Sequence, residues 1–186
     1  MQPQKCGDRS LRLNTGAVAS QIRLVQYVSE WPELYARAAA GIRGVLGPIV
    51  LQIEHVGSTS VPELLAKPVI DVVLAVANSS DENAYAPLLE AAGYPLRIRE
   101  ANWYEHRMFK GPDTDMNLHV FSFGCPEIDR MLAFRNRLRC DAADRDLYAR
   151  TKLELAQKSW LSVQEYADAK TAVVEEILAR ARTSGA

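Results

Sequence analysis

Long apolar runs are missing from this chain. None approaches the ~20 residues that a membrane-spanning helix needs, so no contact with the membrane interior is expected. Cysteine is scarce: Cys6, Cys125 and Cys140 show no CxxC spacing. No disulfide framework is therefore expected, the thiols read as buried or incidental, and a reducing, cytoplasmic setting is expected. Neither sign of charge is in excess, with 22 basic against 23 acidic residues and a net charge of −1. An extended nucleic-acid footprint normally needs a basic face, so recognition by charge has to be local. Internal repeats and a Pro/Gly/Ser-rich linker are also lacking, which argues for a single domain. The first 20 residues carry Lys5, Arg9 and Arg12 but no apolar core, so a secretory signal is not expected there.

What is present is the composition of a soluble globular protein, 48% hydrophobic and 24% charged, enough to bury a core without staples. Residues 1–22 read as a loose N-terminal tail and 23–183 as the domain. Leu34, Ala38, Ile42 and Leu46 form a helical stripe, with Pro32 at the start and Gly47-Pro48 as the stop. Ile49 to Val56 and Val69 to Ala77 read as strands, Asp81 to Ala92 as a helix ended by Gly93, and Pro95 to Arg99 as a short strand. Trp103 to Lys110 and Met116 to Phe123 read as a hairpin turned by Gly111-Pro112-Asp113. In its second arm Asp115, Asn117 and His119 share one face, and Met116, Leu118 and Val120 the other. After about Phe123 the chain turns helical, with candidates at Glu127–Arg139, Ala143–Trp160 and Val163–Arg182, the last opened by a Ser162/Glu165 capping box. The expected fold class is α/β, a mixed sheet with flanking helices and a C-terminal helical layer packed on it.

One stretch concentrates the chemistry. From Glu54 to Val76 the chain reads EHVGSTSVPELLAKPVIDVVLAV: a strand, a small-residue loop, a connector and a strongly hydrophobic strand. Asp71 sits inside that second strand, where a carboxylate is costly unless a cation, a metal or a ligand meets it. The Gly57-Ser58-Thr59-Ser60 loop offers backbone N–H groups and hydroxyls suited to phosphate oxygens. Lys67 lies just before the acid, and His55 just before the loop.

HVGSTSVPELLAKPVIDV, the later LHV of Leu118-His119-Val120 and LAFRNRLR at Leu132–Arg139 strongly resemble the GrpB family, over about Val25 to Arg182. Similar domains also form the C-terminal part of some bacterial dephospho-CoA kinases. The resemblance implies a nucleotidyltransferase-type fold, in which a Gly-Ser loop is followed about ten residues later by Asp-x-Asp or Asp-x-Glu on a strand. A third acid comes from a neighbouring strand. Two Mg²⁺ ions held by such a set align a triphosphate with its attacking oxygen.

Gly57 and Ser58 match the loop and Asp71 the first acid, but Val73 stands at the second, and the third falls on Asn117 or His119. Three readings follow. One Mg²⁺ or Mn²⁺ binds between Asp71, His119 or Asp115 and a substrate phosphate. Or cations do the work, with Lys67, Arg107 and Arg135 neutralising the phosphate directly. Or the site binds a ligand without catalysis. His119 is the candidate general base. Arg135 and Arg139 share a helix face, with ion pairing to Asp141, Asp144 or Asp146 as the structural reading. Tyr148/Lys152 and Tyr166/Lys170 repeat an aromatic-then-Lys spacing that reads as core plus solvated edge. The leading expectation is a transferase-like protein binding a nucleotide or another phosphorylated small molecule. The alternatives are a non-catalytic partner in a CoA-related pathway that stabilises another protein, and a transferase using an acyl or aminoacyl donor.

Overall fold

A computed structural model describes residues 22–183. The expected tail lies outside this range except for Ile22, which is buried beside Leu155 and Tyr166 and so belongs to the packed domain. Five strands form one sheet in the order β1-β2-β5-β4-β3. They are β1 (Gln52–Val56), β2 (Ile70–Val76), β3 (Leu96–Glu100), β4 (His106–Lys110) and β5 (Met116–Ser122). β2 and β5 pair in parallel at the centre, and the other neighbours are antiparallel. The expected β4–β5 hairpin forms, with strand β4 starting at His106 because residues 101–105 turn instead.

The central strand β2 separates two chemistries by its pleat. Ile70, Val72, Leu74 and Val76 meet Leu118, Val120 and the helices α1 (Trp31–Leu46) and α2 (Ala86–Ala91) in the main core. The stripe seen in the sequence supplies Ile42 and Leu46 to that contact. The expected 81–92 helix is a short turn at Glu82–Ala84 followed by α2, because the chain bends at Tyr85 before Ala86-Pro87 restarts it. On the opposite face Val73, Ala75, Phe121 and Ile128 form a second cluster beneath α3 (Pro126–Cys140).

The helical layer consists of α3, α4 (Ala142–Ala156), α5 (Val163–Asp168) and α6 (Thr171–Thr183). The expected 163–182 helix is broken after Asp168, which leaves Lys170 at the junction of α5 and α6. Ser162 caps α5 by accepting from the Glu165 N–H at 3.1 Å, and Asp141 caps α4 by accepting from the Asp144 N–H at 2.9 Å. Val61, Leu64, Leu138, Tyr148, Val173 and Ile177 bind this layer to the loop connector. No helix among the described residues is long and apolar enough to cross a membrane.

Candidate functional site

Register places three rows of side chains on one face of the sheet. Asp71 lies opposite Asn117, and Asn117 opposite Lys110. Val73 lies opposite His119, His119 opposite Met108, and Met108 opposite Ile98. Ala75 lies opposite Phe121, and Phe121 packs on His106 with ring centroids 4.7 Å apart. The helical layer covers the last row and stands off from the first, which leaves a cleft over Asp71.

The loop shapes itself to that acid. Gly57 has φ +70° and ψ −175°, a backbone region essentially reserved for glycine. A Cβ on Gly57 would stand 2.5 Å from Asp71 Oδ2, so the carboxylate occupies the space that glycine leaves. Asn117 Nδ2 donates to Asp71 Oδ1 at 2.8 Å, and His119 Nε2 lies 3.8 Å from the same oxygen. Burial pushes the Asp71 carboxyl up. His119, the Asn117 amide and the charge of Lys170 outweigh it and hold the carboxyl below the ordinary value. Asp71 is therefore an ionised group with 30% of its side chain exposed to the cleft.

The opposite wall comes from the helical layer. A cavity of about 170 Å³ is lined by Ser58, Thr59, Lys67, Asp71, Asn117, Lys152, Tyr166 and Lys170, among others. It adjoins a wider cleft of about 620 Å³ that shares Lys67, Val69, Asp71 and Asn117 and continues past His119 to Ile98, Met108, Met131 and Phe134. Lys152 is 2% exposed; its ammonium donates to the Leu65 carbonyl and, at 3.1 Å, to Ser58 Oγ. The same group lies 4.8 Å above the Tyr148 ring, and Lys170 lies 4.6 Å above the Tyr166 ring. Desolvation, with the charge of Lys170 second, pushes Lys152 down to about 7. Desolvation also lowers Lys170, although Asp71 opposes it.

Lys152 and Lys170 are thus cleft residues rather than solvated helix edges, and they correct the sequence reading of the Tyr/Lys pairs. The repeated four-residue spacing was the available signal. It carried no direction, and the break after Asp168, which leaves Lys170 between α5 and α6 at the cavity, is not visible in it.

Of the residues singled out in the sequence, Gly57, Ser58, Thr59, Lys67, Asp71, Asp115, Asn117 and His119 line this connected space. Asp115 is tied to Lys110 at 2.9 Å at its rim.

Four expected contacts are displaced. His55 is buried on the far side of β1, stacked on Tyr35 and bonded to Thr59 Oγ1 at 3.1 Å; strand alternation turns it away from Asp71. Arg107 alternates to the same far face and is held by Glu82 and Glu105. Arg135 binds Glu54 at 2.8 Å and the His55 carbonyl at 2.9 Å. Ser60 donates to the Gly57 carbonyl at 2.6 Å, while its own carbonyl accepts from Arg139 at 2.7 and 3.0 Å. Arg135 and Arg139 therefore bracket the loop from α3. Arg137, not they, pairs with Asp141 and Asp144.

The donor set speaks against a resident divalent ion. Mg²⁺ and Mn²⁺ favour several oxygen ligands. Asp71 offers one carboxylate already engaged by Asn117, Val73 offers none, and Asp115 is paired elsewhere. Among the described residues no cluster of three or more His, Cys, Asp or Glu side chains could hold a metal. The residues present do not fit a Mg²⁺ or Mn²⁺ site built by the protein alone.

Sequence reasoning also missed Glu100 and His106. His106 Nδ1 stands 2.7 Å from Glu100 Oε2, and its Nε2 stands 3.0 Å from His119 Nδ1. Burial pushes His106 down to about 4 against the opposing pull of Glu100, so it is neutral near pH 7.

Comparison with known proteins agrees with this architecture. A UPF0157 protein of Halalkalibacterium halodurans is 59% identical over 165 residues, covering 89% of this chain and 85% of the relative. The crystal structure of the conserved protein GrpB from Enterococcus faecalis superposes with a TM-score of 0.75 at 30% identity, covering 87% of this chain and 98% of that one. The Cid1 poly(U) polymerase superposes with a TM-score of 0.50 at 12% identity, over 70% of this chain and 42% of that one, a likeness of fold alone. The fold is accordingly nucleotidyltransferase-like. The family description "GrpB protein" matches residues 21–180, and the chain belongs to the GrpB family.

Proposed function

We propose that the cleft binds a phosphorylated small molecule, with a nucleotide as the first candidate, and that the protein is transferase-like. The observation that carries this reading is the set of three ammonium groups, Lys67, Lys152 and Lys170, gathered with Ser58 in one cavity against a single carboxylate. Among the described residues neither Lys67 nor Lys170 has a salt-bridge partner within 4.0 Å. Of the three, Lys152 is the buried one, and a buried cation is unfavourable until an anion meets it. The buried Tyr166 hydroxyl in the same cavity has no hydrogen-bond partner, so it too has bonding capacity for a ligand. The wider cleft adds an apolar wall of Ile98, Met108, Met131 and Phe134, suited to the flat or aliphatic part of such a molecule. Its volume lies within the range of small-molecule sites, ~300–1,000 Å³.

Lysines with lowered pKa values make the binding event proton-linked. A phosphate near Lys152 restores its charge, so binding takes up protons near neutral pH. Calorimetric titration with ATP, CTP, GTP, UTP and pyrophosphate, with and without Mg²⁺, tests this directly. The expected result is micromolar-to-millimolar binding by at least one of them, with an enthalpy that changes with the ionisation heat of the buffer. Silence for every compound, or unchanged binding in Lys152→Met and Lys170→Met, would sink the reading.

A further inference from the structure

Glu100, His106, His119 and Asp71 form a line across the sheet. Its links are 2.7 Å (Glu100 Oε2 to His106 Nδ1), 3.0 Å (His106 Nε2 to His119 Nδ1) and 3.8 Å (His119 Nε2 to Asp71 Oδ1). Two imidazoles in series can share their protons in only a few ways. Glu100, the carboxylate within hydrogen-bond distance, selects the neutral form. Asp71, at 3.8 Å, favours the second proton that His119 Nε2 gains when the ring is charged. Glu100 only accepts when ionised, so His106 Nδ1 carries a hydrogen. His106 is 3% exposed, wedged between Trp103 and Phe121, and stays neutral; its Nε2 is therefore a bare lone pair. A bare Nε2 at 3.0 Å demands a donor, so His119 Nδ1 carries a hydrogen as well. The near-parallel rings, 20° apart, hold the lone pair and the donor in one plane.

We propose that Glu100 and His106 are positioning residues that lock His119 in its Nδ1–H form, so that Nε2 is the nitrogen that gains and loses a proton. That nitrogen is the one facing Asp71 and the cleft, and the His119 side chain is 22% exposed there. The 3.8 Å between His119 Nε2 and Asp71 Oδ1 is too long for a direct hydrogen bond and leaves room at its open side for a hydroxyl of a bound molecule. Such a hydroxyl gives its proton to Nε2 and keeps the O–H electron pair, which makes it a nucleophile at the mouth of the phosphate cavity. A free neutral imidazole more often carries its hydrogen on Nε2, which would point a donor, not an acceptor, at the ligand. The relay reverses that preference, and carboxylates bonded to the far nitrogen of an imidazole act in this way at many catalytic centres. The identity of the hydroxyl rests on the function proposed above; the locked tautomer does not.

The test reads the tautomer without any ligand. In protein labelled with ¹⁵N histidine, long-range ¹H–¹⁵N correlation at pH 7.5 distinguishes the two neutral forms for each ring. The expected spectrum shows His119 protonated at Nδ1 and His106 protonated at Nδ1. His106→Phe, which removes the acceptor and keeps the ring, should move His119 to the Nε2–H form. His106→Gln, whose amide supplies both a donor and an acceptor, should restore Nδ1–H. Glu100→Gln permits the reversed network and should shift His119 toward Nε2–H. A wild-type His119 protonated at Nε2, or a His119 signal that ignores His106→Phe, overturns the proposal. If no phosphorylated compound binds, the spectrum still decides the relay. If a compound binds but the tautomer is free, the relay alone fails. The wild-type measurement suffices should a variant not fold.

Discussion

Asp71 and Val73 sit two residues apart on the same face of the same strand, yet they belong to different environments. Asp71 borders the cleft with 30% of its side chain exposed, while Val73 is 1% exposed beneath Ile128 of α3. The boundary between open and sealed sheet therefore falls between two successive inward positions of β2. A carboxylate at 73 would be sealed beneath α3, with Glu54 and His119 as its cross-strand neighbours, rather than open to a ligand. The missing second acid is thus a packing fact, not a gap in the site. α3 is laid across the place where it would stand, and the counter-charges arrive instead from Lys152 and Lys170 on the helical wall.

The largest expected effect comes from erasing that boundary. Val73→Asp buries an unpaired carboxylate and should cost about 4 kcal/mol of stability, or prevent folding. Denaturant unfolding measures it. A variant that folds with wild-type stability would show that α3 does not seal this row. Weakened unfolding with no gain of Mn²⁺ binding is the outcome that the packing requires.

Acid probes the supports behind the open half. His55 and His106 are both pushed down to about 4 from 6.5, chiefly by desolvation. Between those values the unfolded chain binds more protons than the folded one. Stability therefore rises with pH across the window and is lost as pH falls through it, by up to about 1.4 kcal/mol per pH unit for each histidine. Urea midpoints from pH 7 to pH 4 should fall accordingly. His55→Gln should flatten part of the slope, and an unchanged slope would mean that His55 takes up a proton in the folded state.

Gly57→Ala should destabilise by about 2 kcal/mol, because the backbone region is strained for any other residue and the new methyl strikes Asp71. The clash also shifts the loop that carries Ser58, so binding of the phosphate ligand should weaken with it. Thermal melting and calorimetry on one sample separate the two losses. Asp71→Asn, which keeps the shape but removes the one negative charge facing the lysines, should strengthen phosphate binding and change stability little.

The open half was far more legible than the walls around it. A glycine-serine loop and an acid in an apolar strand carry their chemistry in residue type, and period-two alternation put Asn117 and His119 beside them. Alternation also held the answer to His55 and Arg107, since each lies one residue out of phase with the cleft face. Register was needed to know which phase faced the helices. Arg135 and Arg139 could not be placed at all from the chain. Their partners, the carbonyls of His55 and Ser60, lie 80 and 79 residues away and are set by how α3 crosses the loop. The relay through Glu100 and His106 likewise depends on a β3–β4 pairing that includes a register shift between Leu96 and Ile98. Nothing local in the sequence announces that shift.

The two lysines of the helical wall give the finest division between the halves. Lys152 is fixed by Leu65 and Ser58, whereas Lys170 is held mainly by the Tyr166 ring and the field of Asp71. Removing Lys170 should therefore leave the fold nearly untouched and weaken phosphate binding about tenfold, equivalent to about 1.4 kcal/mol. Removing Lys152 should give a loss of similar size but also release the connector at Leu65. Its effect on stability depends on pH. The folded-state pKa of about 7 lies below the unfolded 10.5, so the cost of burying the charged amine is fully present below pH 7 and fades as pH rises toward 10.5. Lys152→Met should accordingly look most favourable for stability at pH 6 and least favourable at pH 9, where the neutral amine still holds the connector. Paired melts of wild type and variant at the two pH values measure the difference. A pH-independent difference would show that Lys152 keeps its charge in the unliganded cleft, and the proton uptake expected on phosphate binding would then have to disappear as well.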